Sequence, residues 1–159
     1  MHATATLEVG HEAPTFSLKG PAGQLVSLSD YRGKRNVVLF FYALAFSPTC
    51  AHQLPAIQQR LGELKGAGAE VMGISVDSHY ANEAFAKQLG LEFPLLSDFQ
   101  REVSAAYGVL VGDRGISARA VFVVNQKGTI IHKEISPAPG DPLQTPSVDR
   151  VLAALRSAG

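Results

Sequence analysis

The single cysteine of the 159-residue chain, Cys50, closes the stretch Ala43-Leu44-Ala45-Phe46-Ser47-Pro48-Thr49-Cys50. Serine followed directly by proline is the spelling of a helix start. Ser47 reads as the N-cap, and Pro48 as the first helical residue, where its missing N–H costs nothing; Cys50 then falls in the first turn. Backbone N–H groups without helical partners and the positive end of the helix dipole surround a sulfur placed there. Such surroundings draw cysteine thiols from ~8.5 to ~3.5–7.5 and favour the nucleophilic thiolate. The same N–H groups can hold an anionic oxygen against the sulfur. The chemistry on offer is therefore attack by a thiolate. A plainer reading competes with it, because a lone cysteine also serves as a small buried hydrophobe.

With one cysteine, an intrachain disulfide, a CxxC redox pair and a cysteine-based zinc site are arithmetically impossible. Fourteen basic and fourteen acidic side chains cancel, and they are scattered along the chain. No basic stripe is available for phosphates and no polybasic patch for an anionic membrane, so neither nucleic acid nor membrane is an expected partner. No apolar run approaches the ~20 residues of a spanning helix. The segment Met1 to Pro14 lacks the charged-then-apolar layout of a signal peptide, and a cytoplasmic location is expected. A hydrophobic content of 46% with only 18% charged residues argues against disorder. The length fits one domain spanning residues 1–159.

The elements that must position Cys50 follow from periodicity. Residues 14–31 place two short apolar/polar alternations around Gly20-Pro21-Ala22-Gly23, the pattern of an N-terminal β-hairpin. Asn36 to Tyr42 holds Val37-Val38-Leu39-Phe40-Phe41, a strand buried on both faces, and Val71 to Val76 and Ala120 to Val124 have the same character. Leu54, Ile57, Leu61 and Leu64 predict one helix over Pro48 to Lys65, ended by Gly66-Ala67-Gly68 and kinked at Pro55. Shorter helices are expected at Tyr80 to Leu89, Arg101 to Tyr107 and Ser147 to Arg156. Asn125 to Gly128 reads as a turn into an antiparallel strand beginning at Thr129. The sum is an α/β fold, a central sheet with helices on both faces. Cys50 lies just past the carboxyl end of a buried strand, where chemistry collects in open α/β sheets.

The stretch from Phe40 to Cys50 resembles the active-site segment of the peroxiredoxins, PxxxTxxC with serine allowed for threonine, and Ser47 and Cys50 match at the required spacing. Gly10 to Phe16, the Leu28-Ser29-Asp30-Tyr31-Arg32-Gly33-Lys34 turn and Arg119 to Gly128 resemble further landmarks of that family in the right order, so that residues 8–156 are covered. The Leu44-Ala45-Phe46-Ser47 wording and the lone cysteine are most similar to the one-cysteine, alkyl hydroperoxide reductase E type. The resemblance implies a thioredoxin-like fold with a mixed sheet and a thiol peroxidase that uses no cofactor. Cys50 would be the nucleophile towards hydrogen peroxide or organic hydroperoxides, leaving a sulfenic acid. Ser47 would direct its hydroxyl at the peroxide and the sulfur, and Arg119 would stabilise the thiolate and the departing oxygen. Lacking a second thiol, the chain would rely on an external reductant: thioredoxin, a glutaredoxin-type protein or a low-molecular-weight thiol. A homodimer packed through the loops near the site, with Phe46 contributing apolar area, is also implied.

One position departs from the pattern: the proline that heads the motif is Ala43 here. The departure predicts a slower or more easily over-oxidised site, and it is the best support for a different reading of the same fold, a non-enzymatic redox sensor or interaction module. Gln53, one turn after Cys50, matches a polar slot of the family and equally suits a solvated helix position. His52 points away from Cys50 by its spacing. His2, His11, His79 and His132 form no ligand spacing, and Tyr107-Gly108-Val109 reads as packing and turn.

Overall fold

The computed structural model describes residues 7–136 and 147–158. The run Val37 to Phe41 forms the heart of a mixed seven-stranded sheet built from β1 (Ser17–Lys19), β2 (Leu25–Ser27), β3 (Asn36–Phe41), β4 (Ala69–Ser75), β5 (Leu95–Ser97), β8 (Ala120–Val124) and β9 (Ile130–Ile135). Their spatial order is β2-β1-β5-β4-β3-β8-β9. β3, β4 and β5 run parallel, and every other neighbouring pair is antiparallel. A small separate ladder pairs β6 (Leu110–Val111) with β7 (Ile116–Ser117).

Alternation along the strands sorts the core into two layers. Val38, Phe40 and Tyr42 join Val71, Val121 and Val123 on one face. That face is covered by α1 (Pro48–Gln59), α2 (Leu61–Gly66), α3 (His79–Leu89) and α5 (Val148–Ala158), through Leu54, Ile57, Leu64, Phe85, Leu152 and Leu155 among others. Val37, Leu39, Phe41, Met72 and Phe122 point to the other face. There α4 (Glu102–Ala106) brings Val103, the chain just beyond it brings Tyr107, and Phe16 and Leu28 fill in from the N-terminal segment. Each such side chain contributes about 1.5–3 kcal/mol by leaving water. Tyr107 stacks edge-on against Phe122 at 5.1 Å and donates its hydroxyl to the Pro14 carbonyl at 2.7 Å, a packing and turn role as its sequence context suggested.

The hairpin is present, with Leu18 opposite Val26. β8 and β9 are antiparallel across a turn in which the Asn125 side chain accepts from the N–H groups of Lys127 and Thr129. The expected single helix over Pro48 to Lys65 is instead two. α1 runs through Pro55 without interruption, and the break falls at Arg60 (φ −105°, ψ 7°), where the guanidinium turns to Glu63 and, at 2.9 Å, to Asp149 of α5. β5 and the β6–β7 ladder were not foreseen, because runs of two or three residues carry too little periodicity to register. No described helix is long and apolar enough to cross a membrane.

Gly73, within β4, is closely covered by neighbouring side chains. A Cβ there would meet Leu95 Cδ2 at 2.5 Å and the Tyr42 ring at 3.3 Å. Gly62, in α2, has nothing within 4 Å and an ordinary backbone conformation. Gly73→Ala is therefore expected to destabilise by about 1–3 kcal/mol through overpacking. Gly62→Ala is expected to stabilise by about 0.5–1 kcal/mol. Thermal melts should move in opposite directions, by roughly 2–4 °C per kcal/mol for a chain of this size.

Candidate active site

β3 ends at Phe41, and Tyr42 extends its pairing with β4 by donating to the Ile74 carbonyl at 3.0 Å. The chain then has five residues, Ala43 to Ser47, in which to turn from the strand into α1. Phe46 achieves the turn in a left-handed conformation (φ 66°). That conformation costs a residue with a Cβ about 1–2 kcal/mol. Its ring rests on Phe85 of α3 at 5.0 Å, leaving it half-exposed. Ser47 occupies the N-cap position as expected, but its hydroxyl does not cap the helix. It donates backwards to the Leu44 carbonyl at 2.9 Å.

The first helical hydrogen bond runs from the Ala51 N–H to the Ser47 carbonyl at 2.9 Å. The N–H groups of Thr49 and Cys50 precede it and have no acceptor within the helix. Cys50 is thus the third residue of α1, in the first turn at the positive end of the dipole, and its side chain is completely buried.

Around this turn lies a polar network that sequence reasoning missed. The Asp77 carboxylate, just past the end of β4, accepts from the Ala45 N–H at 2.8 Å and from the Ser75 hydroxyl at 2.8 Å. The Tyr42 hydroxyl donates to the Asn82 side-chain carbonyl, and the Asn82 amide donates to the Leu96 carbonyl at 3.2 Å. The Ser75 oxygen also lies 3.1 Å from the Asn82 carbonyl oxygen. A hydroxyl has one proton, and the shorter, charge-assisted bond to Asp77 takes it. Burial pushes the Tyr42 phenol far above its ordinary range, and the neighbouring Asp77 and Cys50 push the same way, so Tyr42 is a neutral donor. The signal that could have found Asp77 was available, since it follows a buried parallel strand just as the Cys50 loop does.

Arg119 is the bulkiest of the fully buried side chains among the described residues. The β3–β8 register sets Ala120 opposite Phe41, so Arg119 comes next to Tyr42 just past the ends of these two strands. Alternation with Val121 and Val123 puts it on the face that holds α1 and Cys50. Cys50 and Arg119 therefore share one face of the sheet, and both lie past the end of β3 from which the Ser47 turn leads into α1. Burying a guanidinium is costly enough to require compensating partners, which sets Arg119 apart from an ordinary surface charge.

Gln53 is not the solvated residue that its sequence position allowed. It is buried, at 5% exposure, one helical turn from Cys50, and neither atom of its amide finds a partner among the described residues. An unsatisfied buried amide costs about 1–3 kcal/mol. His79 stacks on Tyr80, and His132 pairs with Glu134 at 2.8 Å. His2 and the His52 side chain lie outside the described residues. Among the described residues no three His, Cys, Asp or Glu side chains cluster as a metal site would require. A groove of about 740 Å³, lined by Phe16, Leu25, Tyr80, Phe99 and Val103 among others, does not include Cys50.

Comparison with known proteins agrees with this geometry. Residues 9–133 match the AhpC/TSA family. The chain is 40% identical over 137 residues to alkyl hydroperoxide reductase E of Mycobacterium tuberculosis, covering 85% of this chain and 89% of that one. It is 38% identical over 138 residues to the chloroplastic 2-Cys peroxiredoxin BAS1 of Spinacia oleracea, covering 80% of this chain but 52% of that protein's length. Among solved structures, peroxidoxin BcpB of Mycobacterium tuberculosis superposes with a TM-score of 0.84 at 28% identity, over 96% of this chain and 99% of that one. Reduced 2-Cys peroxiredoxin of Plasmodium vivax gives 0.83 at 29% identity, over 94% and 81%. A thioredoxin-like sheet, a cysteine in the first turn of the helix after β3 and a matching sequence over most of the chain lead to one conclusion: the protein belongs to the AhpC/TSA family of peroxidase enzymes, the peroxiredoxins.

Proposed function

We propose that the protein is a one-cysteine thiol peroxidase of the alkyl hydroperoxide reductase E kind. The observation that carries this reading is the position of the chain's single cysteine, third in α1, beside N–H groups that the helix leaves open. The Cys50 thiolate attacks one oxygen of a hydroperoxide, the O–O bond breaks, and the departing oxygen takes a proton. The products are a Cys50 sulfenic acid and water or an alcohol. The Thr49 and Cys50 N–H groups and the Arg119 guanidinium supply positive charge where the departing oxygen becomes negative. Ser47 can redirect its hydroxyl from the Leu44 carbonyl to the peroxide by a rotation about one bond.

No second thiol exists in the 159 residues to resolve the sulfenic acid. Thioredoxin, a glutaredoxin-type protein or a low-molecular-weight thiol would then return it to the thiol, a cycle suited to the reducing cytoplasm. Half-exposed Phe46, in the turn that leads into α1, supports a homodimer packed near the site. The complete burial of Cys50 favours the second reading, a redox sensor that oxidises slowly and signals through partner binding.

Mixing reduced protein with stoichiometric hydroperoxide separates the two. The peroxidase reading expects sulfenic acid to form far faster than with a free thiol, and catalytic turnover with dithiothreitol that Cys50→Ser abolishes; a rate no faster than a free thiol's would leave the sensor. Arg119→Lys should lower the peroxide rate at least about tenfold, because a point charge cannot replace a planar fork of donors. Ala43→Pro should raise the peroxide rate or lower the yield of sulfinic acid, and no change in either would remove any role for this departure from the family pattern.

A further inference from the structure

The start of α1 owes its position to a second element of the fold. Between Tyr42 and Ser47 the chain is held against the β4–α3 segment beyond the strand pairing itself. The Tyr42 hydroxyl is held by Asn82, the Ala45 N–H by the Asp77 carboxylate at 2.8 Å, and the Phe46 ring by Phe85. Of these, the bond to Asp77 acts on the backbone itself, one residue before the left-handed turn at Phe46 and two before the N-cap. Asp77 is in turn fixed by the Ser75 hydroxyl, and its own N–H donates to that hydroxyl oxygen at 3.2 Å. Its carbonyl accepts from the Ser97 hydroxyl at 2.6 Å, which ties it to β5. Other restraints within the turn are local and weaker. The Ser47 N–H reaches the Leu44 carbonyl at 3.4 Å, and the Ser47 hydroxyl bonds the same carbonyl.

We propose that Asp77 is a positioning residue for Cys50: its carboxylate, anchored by Ser75 and Ser97, holds the Ala45 N–H and so fixes the angle at which the chain enters α1 and presents the Thr49 and Cys50 N–H groups. The proposal rests on the peroxidase reading for its consequence and on the hydrogen bonds alone for its geometry. A charge-assisted bond to a backbone N–H is among the stronger neutral-to-ion contacts a protein makes. Small displacements of donors around a reacting oxygen translate into large rate changes. Alkylation of the same sulfur is much less dependent on those donors, since no oxygen departs.

The test compares wild type, Asp77→Ala and Asp77→Asn in two reactions at the plateau of each pH profile: oxidation by hydrogen peroxide and alkylation by iodoacetamide. Asp77→Ala is expected to lose about tenfold or more in the peroxide rate while its alkylation rate does not fall. Asp77→Asn, which keeps an acceptor oxygen, is expected to recover most of the loss. Hydrogen exchange at the Ala45 amide should be slow in wild type, intermediate in Asp77→Asn and fast in Asp77→Ala. Should Asp77→Ala not fold, Asp77→Asn and the exchange measurement decide alone. A fast wild type with unchanged variants, parallel changes in both reactions, or an Ala45 amide indifferent to Asp77 would overturn the positioning role. A wild type that reacts with peroxide no faster than a free thiol would instead overturn the peroxidase reading, and Ala45 exchange would still report on the geometry.

Discussion

Everything about the site depends on β3 being dry on both sides. Residues Val37 to Phe41 expose almost nothing to solvent, so the strand cannot slip by one residue without turning its whole set of side chains over to the wrong layer. With the register fixed, Tyr42 must come next to Ile74 and Arg119, and the chain must leave the sheet at the same end as β4 and β5. Helix α1 then has one place to begin. The location of the Cys50 sulfur is in this sense a by-product of packing five apolar residues.

That constraint also explains which parts were legible from the amino-acid order. The longer buried strands, the hairpin and the short helices announce themselves through runs and alternations, because burial selects residue types one position at a time. Cys50 was legible for a different reason: Ser47 and Pro48 mark a helix start through local backbone chemistry that needs no tertiary context. What escaped was whatever depends on two distant segments meeting. Asp77 and Ala45 are 32 residues apart, and no pattern in either neighbourhood announces the bond between them. The interruption at Arg60 is similar, since Asp149 draws its side chain from the far end of the chain. Gln53 was left open between a polar slot near Cys50 and a solvated position, and the structure removes the second. A polar residue in a helix defaults to the solvent face, and only the packing of α1 against the sheet shows it enclosed.

The site combines features that oppose stability. Phe46 sits in an unfavourable backbone region, and a guanidinium and an amide without a partner among the described residues are buried. A fold can carry these because the rest of the molecule is ordinary. Two apolar layers, long parallel pairing between β3 and β4, and an aromatic cluster around Tyr107 supply stability away from the chemistry.

The separation of the two layers has a consequence for variation among relatives. The groove beside Phe16, Val103 and Tyr107 draws its walls mainly from the layer opposite Cys50, from the N-terminal segment and α4. Exchanges of side chains there reshape a surface without touching the packing around the sulfur. One short stretch lacks that freedom. Ser78, His79 and Tyr80 line the groove, yet they follow Asp77 directly and open the helix that holds Tyr42 and Phe46. Insertions or deletions would be least tolerated there, although the segment lies on the surface.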